Sequence, residues 1–86
     1  MKLYVGNLDY NLDESQLKRY FEKYGEVSSV TIIADKETGE SKGYGFVEMA
    51  DKEGGKKALE RMNGSEVNGR RIKVNIARPS KNKYKR

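Results

Sequence analysis

Apolar side chains recur at every second position in four short segments of the chain, which is the period of a β-strand with one buried face. The predicted strands cover residues 2–6, 27–34, 42–49 and 71–77. The positions expected to face the core are Leu3, Val5, Val30, Ile32, Val47, Met49, Ile72, Val74 and Ile76. Gly43 and Gly45 lie on the same side of the third strand, where the lack of a side chain is expected to let a helix pack closely.

The segment after the first strand has the three-to-four-residue period of an amphipathic helix. Asp13 is a suitable N-cap, Gln16 completes a capping box three residues later, and Gly25 is expected to end the helix. The apolar stripe of this helix consists of Leu17, Tyr20, Phe21 and Tyr24.

A second helix is predicted to follow Asp51, which is again a suitable N-cap. Its apolar stripe consists of Ala58, Leu59 and Met62. Gly54 and Gly55 fall near its start, and because each costs about 1 kcal/mol relative to alanine, the first turn is expected to be weak. Asn68 followed by Gly69 is a strong signal for a tight turn before the last strand.

The resulting order of elements is β-α-β-β-α-β, which indicates an α+β protein with the ferredoxin-like split-βαβ fold. The expected architecture is a four-stranded antiparallel sheet with both helices on one face, so that the other face stays uncovered. A chain of 86 residues suffices for one domain and not for two. We predict a domain over residues 1–79 and a basic tail over residues 80–86.

Three aromatic side chains fall on the uncovered face. Tyr4 lies on the first strand, and Tyr44 and Phe46 lie on the third; in this topology the two strands are the central neighbours. Four basic side chains surround the rings, and one acidic side chain, Glu48, lies on the same face. The basic residues are Lys2, Lys42, Arg71 and Lys73. A contiguous exposed aromatic patch indicates a binding site. Planar rings within a positive rim suit unpaired nucleic acid, whose bases stack and whose phosphates meet the cations.

Cysteine and histidine are both absent, which excludes disulfides, zinc fingers and every catalytic scheme that depends on a thiol or an imidazole. The acids form no spaced pair that indicates acid–base catalysis. We therefore expect a protein that is not an enzyme and that needs no metal or cofactor.

The net charge of +5 is concentrated at the end of the chain. Residues 78–86 contain five basic residues and no acidic one, whereas the rest of the chain has thirteen basic and thirteen acidic residues. Such a tail indicates a polyanionic partner, although a merely solubilising terminus has the same composition. No apolar run reaches the roughly 18 residues of a membrane span, and no signal peptide is evident, so we expect a cytoplasmic protein. A monomer is the default expectation for its oligomeric state.

Two stretches of the sequence resemble one family. Residues 42–49, "KGYGFVEM", fit seven of the eight positions of the octapeptide of the RNA-recognition motif, and residues 3–8, "LYVGNL", are similar to its hexapeptide. The resemblance covers about residues 2–79 and is nearest to the short single-domain bacterial RNA-binding proteins. Met49 departs from the pattern, which has an aromatic residue there, but by strand parity this side chain faces the core.

The resemblance implies a role for each candidate residue. Tyr4 and Phe46 would each stack on a base, Tyr44 would lie against the sugars between them, and Lys42 would pair with a phosphate. The base edges would contact Asn75, Ala77 and Arg78. Further phosphate contacts would come from Lys73, the tail, Lys2 and Arg71; for single lysines and arginines of this kind, a solvated edge is an equal alternative. The implied partner is single-stranded RNA, with single-stranded DNA as a second candidate.

Two rival functions use the same topology. A protein-interaction module would bind peptides on the sheet or on the helices, but the intact aromatic trio favours nucleic acid. An acylphosphatase-like enzyme shares the layout, but the sequence shows no anion-binding loop of that kind.

Overall fold

The order of the elements follows the predicted β-α-β-β-α-β pattern, with one additional hairpin. The computed structural model describes residues 1–77. Its elements are β1 (Lys2–Gly6), α1 (Glu14–Glu22), β2 (Val27–Ala34), β3 (Ser41–Met49), α2 (Lys52–Met62), β4 (Glu66–Val67), β5 (Arg70–Arg71) and β6 (Lys73–Ile76). Arg78, Pro79 and the predicted tail over residues 80–86 lie outside the described part of the chain.

The main sheet has the strand order β2-β3-β1-β6, and all three pairings are antiparallel. This order places β1 and β3 side by side in the centre, with Leu3 opposite Val47 and Tyr4 opposite Phe46. The predicted fold class is confirmed. From Lys2 to Val5 and along β3 the buried positions alternate with half-buried or exposed ones, so the two-residue period assigns each side chain to its face.

Helix α1 begins with the predicted capping box. The Gln16 amide donates to the Asp13 carboxylate at 2.8 Å, and the Asp13 amide donates to the Gln16 side chain at 3.1 Å. Leu17 and Phe21 are buried against the sheet, whereas Tyr20 and Tyr24 pack at the margin of the core. The helix ends earlier than expected, because Lys23 rather than Gly25 is its C-cap.

Close packing around the first turn of helix α2 explains why this turn contains two glycines. A Cβ at Gly54 would lie 3.0 Å from the Tyr24 carbonyl oxygen and 3.2 Å from the Cα of Gly25. A Cβ at Gly55 would lie 2.9 Å from the Cβ of Met1. Both glycines are buried. The expected weakness of this turn is therefore offset by close packing, which a side chain at either position would obstruct.

The hydrophobic core lies between the inner face of the sheet and the two helices. It consists of Leu3, Val5, Leu8, Leu12, Leu17, Phe21, Val27, Val47, Met49, Ala58, Met62, Val67, Ile72 and Val74. Met49 is buried, as strand parity predicted. Ile76, however, was expected in the core and is 46% exposed. Ile76 is the last residue of an edge strand and has a neighbouring strand on one side, where it pairs with Leu3.

The prediction of one continuous strand over residues 71–77 is wrong. Arg70–Arg71 pairs with Glu66–Val67 in a separate hairpin, and Ile72 separates this hairpin from β6. Asn68 and Gly69 form its turn with φ values of 52° and 83°, as the turn signal indicated. Arg71 is therefore paired outside the main sheet and does not belong to its outer face.

The expectation that Gly43 and Gly45 let a helix approach is also wrong. A Cβ at Gly45 would collide with the Thr31 carbonyl oxygen and would lie 2.9 Å from the Cα of Ile32. Gly43 has a φ of 86°, and a Cβ at this position would lie 3.0 Å from the nearest atom of the Tyr10 ring. These glycines accommodate the backbone of β2 and the loop after β1.

Candidate nucleic-acid interface

The rings of Tyr4, Tyr44 and Phe46 form one cluster on the outer face of the sheet, which we call the aromatic platform. The centroid of the Tyr4 ring lies 6.0 Å from that of Tyr44 and 6.0 Å from that of Phe46. The remaining pair, Tyr44 and Phe46, is 6.4 Å apart with an interplanar angle of 86°. Separations of 4.5–7 Å with edge-to-face geometry are favourable between aromatic rings. All three are half-buried, so part of each ring stays open to solvent.

Gly6 provides the surface beneath the Tyr4 ring. A Cβ at Gly6 would lie 2.6 Å from the Tyr4 hydroxyl oxygen and 3.0 Å from two carbons of its ring. Gly6 is two residues after Tyr4 on the same face of β1, and the ring lies across it. The absence of a side chain at this position therefore sets the tilt of the ring.

Lysine side chains border the aromatic platform. The Lys2 Nζ lies 5.0 Å from the centroid of the Phe46 ring, within the range of a cation–π contact. Lys42 precedes Tyr44 by two residues, and Lys73 pairs with Gly6. Within residues 1–77 the one ion pair joins Lys18 to Glu22, so these three lysines lack a carboxylate partner within that range and are available to an anion.

Asn75 and Ala77, two of the three residues predicted to contact base edges, lie beside the platform. Asn75 is the register partner of Tyr4 and is exposed. The amide of Ala77 donates to the Lys2 carbonyl oxygen at 2.9 Å, which holds the chain beside β1 past the last residue of β6. Arg78 falls outside the described residues. Arg71, in the hairpin, donates from Nη1 to the Gly64 carbonyl oxygen at 3.4 Å.

A second group of side chains, which the sequence did not predict, lies at the end of the sheet where β1 and β3 meet the loops. A cavity of about 220 Å³ there is lined by Tyr4, Asn7, Leu8, Tyr10, Lys42, Gly43, Tyr44 and Arg70. Tyr10 is 67% exposed. Neither periodicity nor the two stretches quoted above singles out Tyr10 or Arg70, because both lie in connections between strands and helices.

Residues 1–77 contain no group of three or more His, Cys, Asp or Glu side chains placed to hold a metal ion. No helix in that range is long and apolar enough to span a membrane.

The sequence model described as "RNA recognition motif" matches residues 3–73. The chain belongs to the RNA recognition motif family. The predicted resemblance is confirmed. The matched range contains Tyr4, Tyr44 and Phe46 and therefore the complete aromatic platform.

Relatives of this RNA recognition motif chain are found in plants and in cyanobacteria. It is 47% identical over 76 residues to glycine-rich RNA-binding protein 4, mitochondrial, of Arabidopsis thaliana, covering 88% of this chain and 56% of that protein. It is 42% identical over 83 residues to the putative RNA-binding protein RbpE of Nostoc sp., covering 96% of this chain and 84% of that protein. The chain thus spans about half of the plant protein, and a quarter or less of two further relatives.

A solved structure described as a complex of the Sex-lethal protein with RNA has the same fold. It superposes with a TM-score of 0.87 at 32% sequence identity, covering 92% of this chain and 47% of that one.

Proposed function

We propose that this protein binds single-stranded RNA on the outer face of its sheet. The observation that carries the proposal is the aromatic platform, three rings within 6.4 Å of one another bordered by lysines without a carboxylate partner within residues 1–77. Tyr4 and Phe46 stack on successive bases, and Tyr44 packs against the sugars between them. Family membership and the Sex-lethal complex with RNA support this assignment.

The cations around the aromatic platform take the phosphates. Lys42 and Lys73 are exposed and flank the platform from β3 and β6, and Lys2 adds a third charge beside Phe46. Asn75, Ala77 and Arg78 contact base edges, and Arg71 adds a more distant charge from the hairpin. We propose that the basic residues beyond position 79 add phosphate contacts that do not depend on sequence.

The expected affinity is modest. Each stacked base contributes about 1–3 kcal/mol by substitution, and association costs several kcal/mol of translational and rotational entropy. Two or three stacked bases with several ion pairs then give a dissociation constant nearer micromolar than nanomolar. Such a platform covers about three or four nucleotides.

Titration with labelled oligonucleotides at several salt concentrations tests the proposal. Because about four phosphate contacts release counterions, log K should fall with log [salt] with a slope near −3 for a single strand. A duplex of the same sequence is the control and should bind far more weakly, since the flat platform needs unstacked bases. Absence of binding to any single strand would refute the proposal.

The rival assignment is a protein-interaction module. A peptide held by the platform through apolar contacts would bind with little dependence on salt, because few counterions are released. Capture of peptides with a flat salt dependence, together with no RNA binding, would establish that assignment instead.

We propose further that the chain acts by occupying RNA as a cytoplasmic monomer without catalysis. The plant relative is named a mitochondrial protein, so localisation requires direct imaging. Sedimentation tests the monomer, and a DNA oligonucleotide of matched sequence tests whether single-stranded DNA also binds.

A further inference from the structure

The loop after β1 and the β4–β5 hairpin are joined into a fixed corner at one end of the aromatic platform. The Asn7 Nδ2 donates to the Arg71 carbonyl oxygen at 2.8 Å, and the Asn68 Nδ2 donates to the Asp9 carboxylate at 3.3 Å. Arg70 also donates twice to Asn7. We call the group of Asn7, Tyr10 and Arg70 the loop–hairpin corner. These contacts span more than fifty residues of sequence, so two loops that are separate along the chain form one surface.

Arg70 is held in place by Asn7. Its Nη2 donates to the Asn7 Oδ1 at 2.6 Å, and its Nε donates to the Asn7 carbonyl oxygen at 3.3 Å. A guanidinium has five N–H donors, so three remain after these two bonds. Asn7 uses both its side-chain oxygen and its nitrogen within the corner, and its φ of 59° is one that asparagine tolerates. Asn7 is therefore a positioning residue rather than a reader of bases.

Tyr10 supplies an aromatic surface beside this arginine. Two atoms of its ring lie 3.0 and 3.6 Å from the place of a Cβ at Gly43, which anchors one edge, while 67% of the residue remains exposed. A single exposed tyrosine is unremarkable. This one lines the same cavity as Arg70 and Lys42, and the cavity lining includes no acid.

We propose that the loop–hairpin corner is an additional nucleotide subsite, separate from the aromatic platform. One base stacks on Tyr10, and Arg70 binds its phosphate beside Lys42 of the platform. The cavity of about 220 Å³ is smaller than the roughly 300–1,000 Å³ that encloses a drug-sized ligand, so it suits a single base. Tyr4 and Tyr44 line it too, so the added nucleotide directly adjoins those on the platform. This inference rests on the proposed RNA binding.

A length series of oligonucleotides tests the subsite. Labelled oligo(U), oligo(A) and oligo(C) of three to eight nucleotides are titrated against the full chain and its variants. In the wild type, adding one nucleotide to an oligomer that just covers the platform should raise affinity about 5–150-fold, which is the effect of one stacked base. We call this increase the length step. A homopolymer offers the same binding registers to the wild type and to each variant. The ratio of wild-type to variant affinity at each length therefore measures the contribution of the corner.

Tyr10→Ala and Arg70→Gln should each reduce the length step and leave the affinity for the three-nucleotide oligomers within about twofold of wild type. Tyr10→Phe should keep the step, because it keeps the ring. Asn7→Gly, which tolerates the positive φ, should reproduce part of the Arg70→Gln effect. Arg61→Gln on α2 is the matched charge control and should change both lengths equally and slightly.

Two outcomes contradict different statements. If the wild type binds RNA but Tyr10→Ala has the same length dependence, or weakens short and long oligomers equally, the corner is not a nucleotide subsite. If the wild type binds no oligomer of any length, the proposed function itself fails. A direct readout is the Arg70 Nε resonance, which should shift more with oligomers of six nucleotides than with those of three.

Discussion

Replacing Phe46 with alanine separates binding from folding, because the side chain belongs to the aromatic platform and not to the core. Its ring packs edge-on against Tyr4 and Tyr44 at centroid distances of 6.0 and 6.4 Å. An aromatic pair contributes about 0.5–1.5 kcal/mol beyond area burial. Because the ring is only half-buried, we expect Phe46→Ala to lower the free energy of unfolding by about 1–2 kcal/mol. That corresponds to a decrease in Tm of about 5–15 °C for a domain of this size.

The effect on RNA binding should be larger than this stability loss can explain. Removal of one stacking ring weakens binding by about 1–3 kcal/mol, or about 5–150-fold. A variant that retains about 3 kcal/mol of stability is still more than about 99% folded. Partial unfolding therefore accounts for almost none of the predicted loss of affinity.

Val47→Ala is the matched control, since Val47 is the next residue on the same strand and is fully buried. Loss of two methyl groups costs about 1.6 kcal/mol in transfer free energy, and the cavity adds to that cost. Thermal unfolding by circular dichroism and RNA titration by fluorescence anisotropy should rank the two variants in opposite orders. Val47→Ala should lose at least as much stability as Phe46→Ala and bind RNA within about twofold of wild type. Equal RNA affinities for Phe46→Ala and wild type would refute the assignment of Phe46.

Three further substitutions test how particular residues support the fold and the site. Gly6→Ala should weaken RNA binding severalfold with a small change in Tm, because the new Cβ displaces the flexible end of Tyr4; unchanged chemical shifts of the Tyr4 ring would contradict this. Asp13→Ala removes the capping carboxylate of α1 and should cost about 1 kcal/mol in denaturant unfolding, with RNA affinity unchanged. Gly45→Ala should be the most disruptive, because its Cβ meets the backbone of Thr31 rather than a movable side chain; a Tm within a few degrees of wild type would show that β2 yields more easily than we infer.

The fold and the platform could be predicted because both follow from short-range periodicity. The two-residue period assigns Tyr4, Tyr44 and Phe46 to one face, and the element order then makes β1 and β3 adjacent. Helix N-caps are equally local, since the carboxylate of Asp13 bonds within its own first turn. None of these features requires knowledge of which distant segments meet.

The features that were missed depend on contacts between distant segments. Ile76 continues the apolar alternation of its strand, but the sequence does not show that this end of an edge strand lies beyond the core. Gly55 weakens an isolated helix, yet in the fold it meets Met1, more than fifty residues away. Arg70 acquires a fixed position only through Asn7. Such pairings follow from tertiary structure and leave no period in the sequence.

Three consecutive residues at the end of β1 each support a different part of the structure: the core, the platform and the corner. Val5 is buried and fixes the strand against the helices. Gly6 leaves room for the Tyr4 ring to lie across the outer face. Asn7, with its φ of 59°, turns the chain away and binds Arg70. A substitution in this tripeptide should therefore damage a different property at each position: stability at the first, ring tilt at the second, and the reach of the RNA site beyond the sheet at the third.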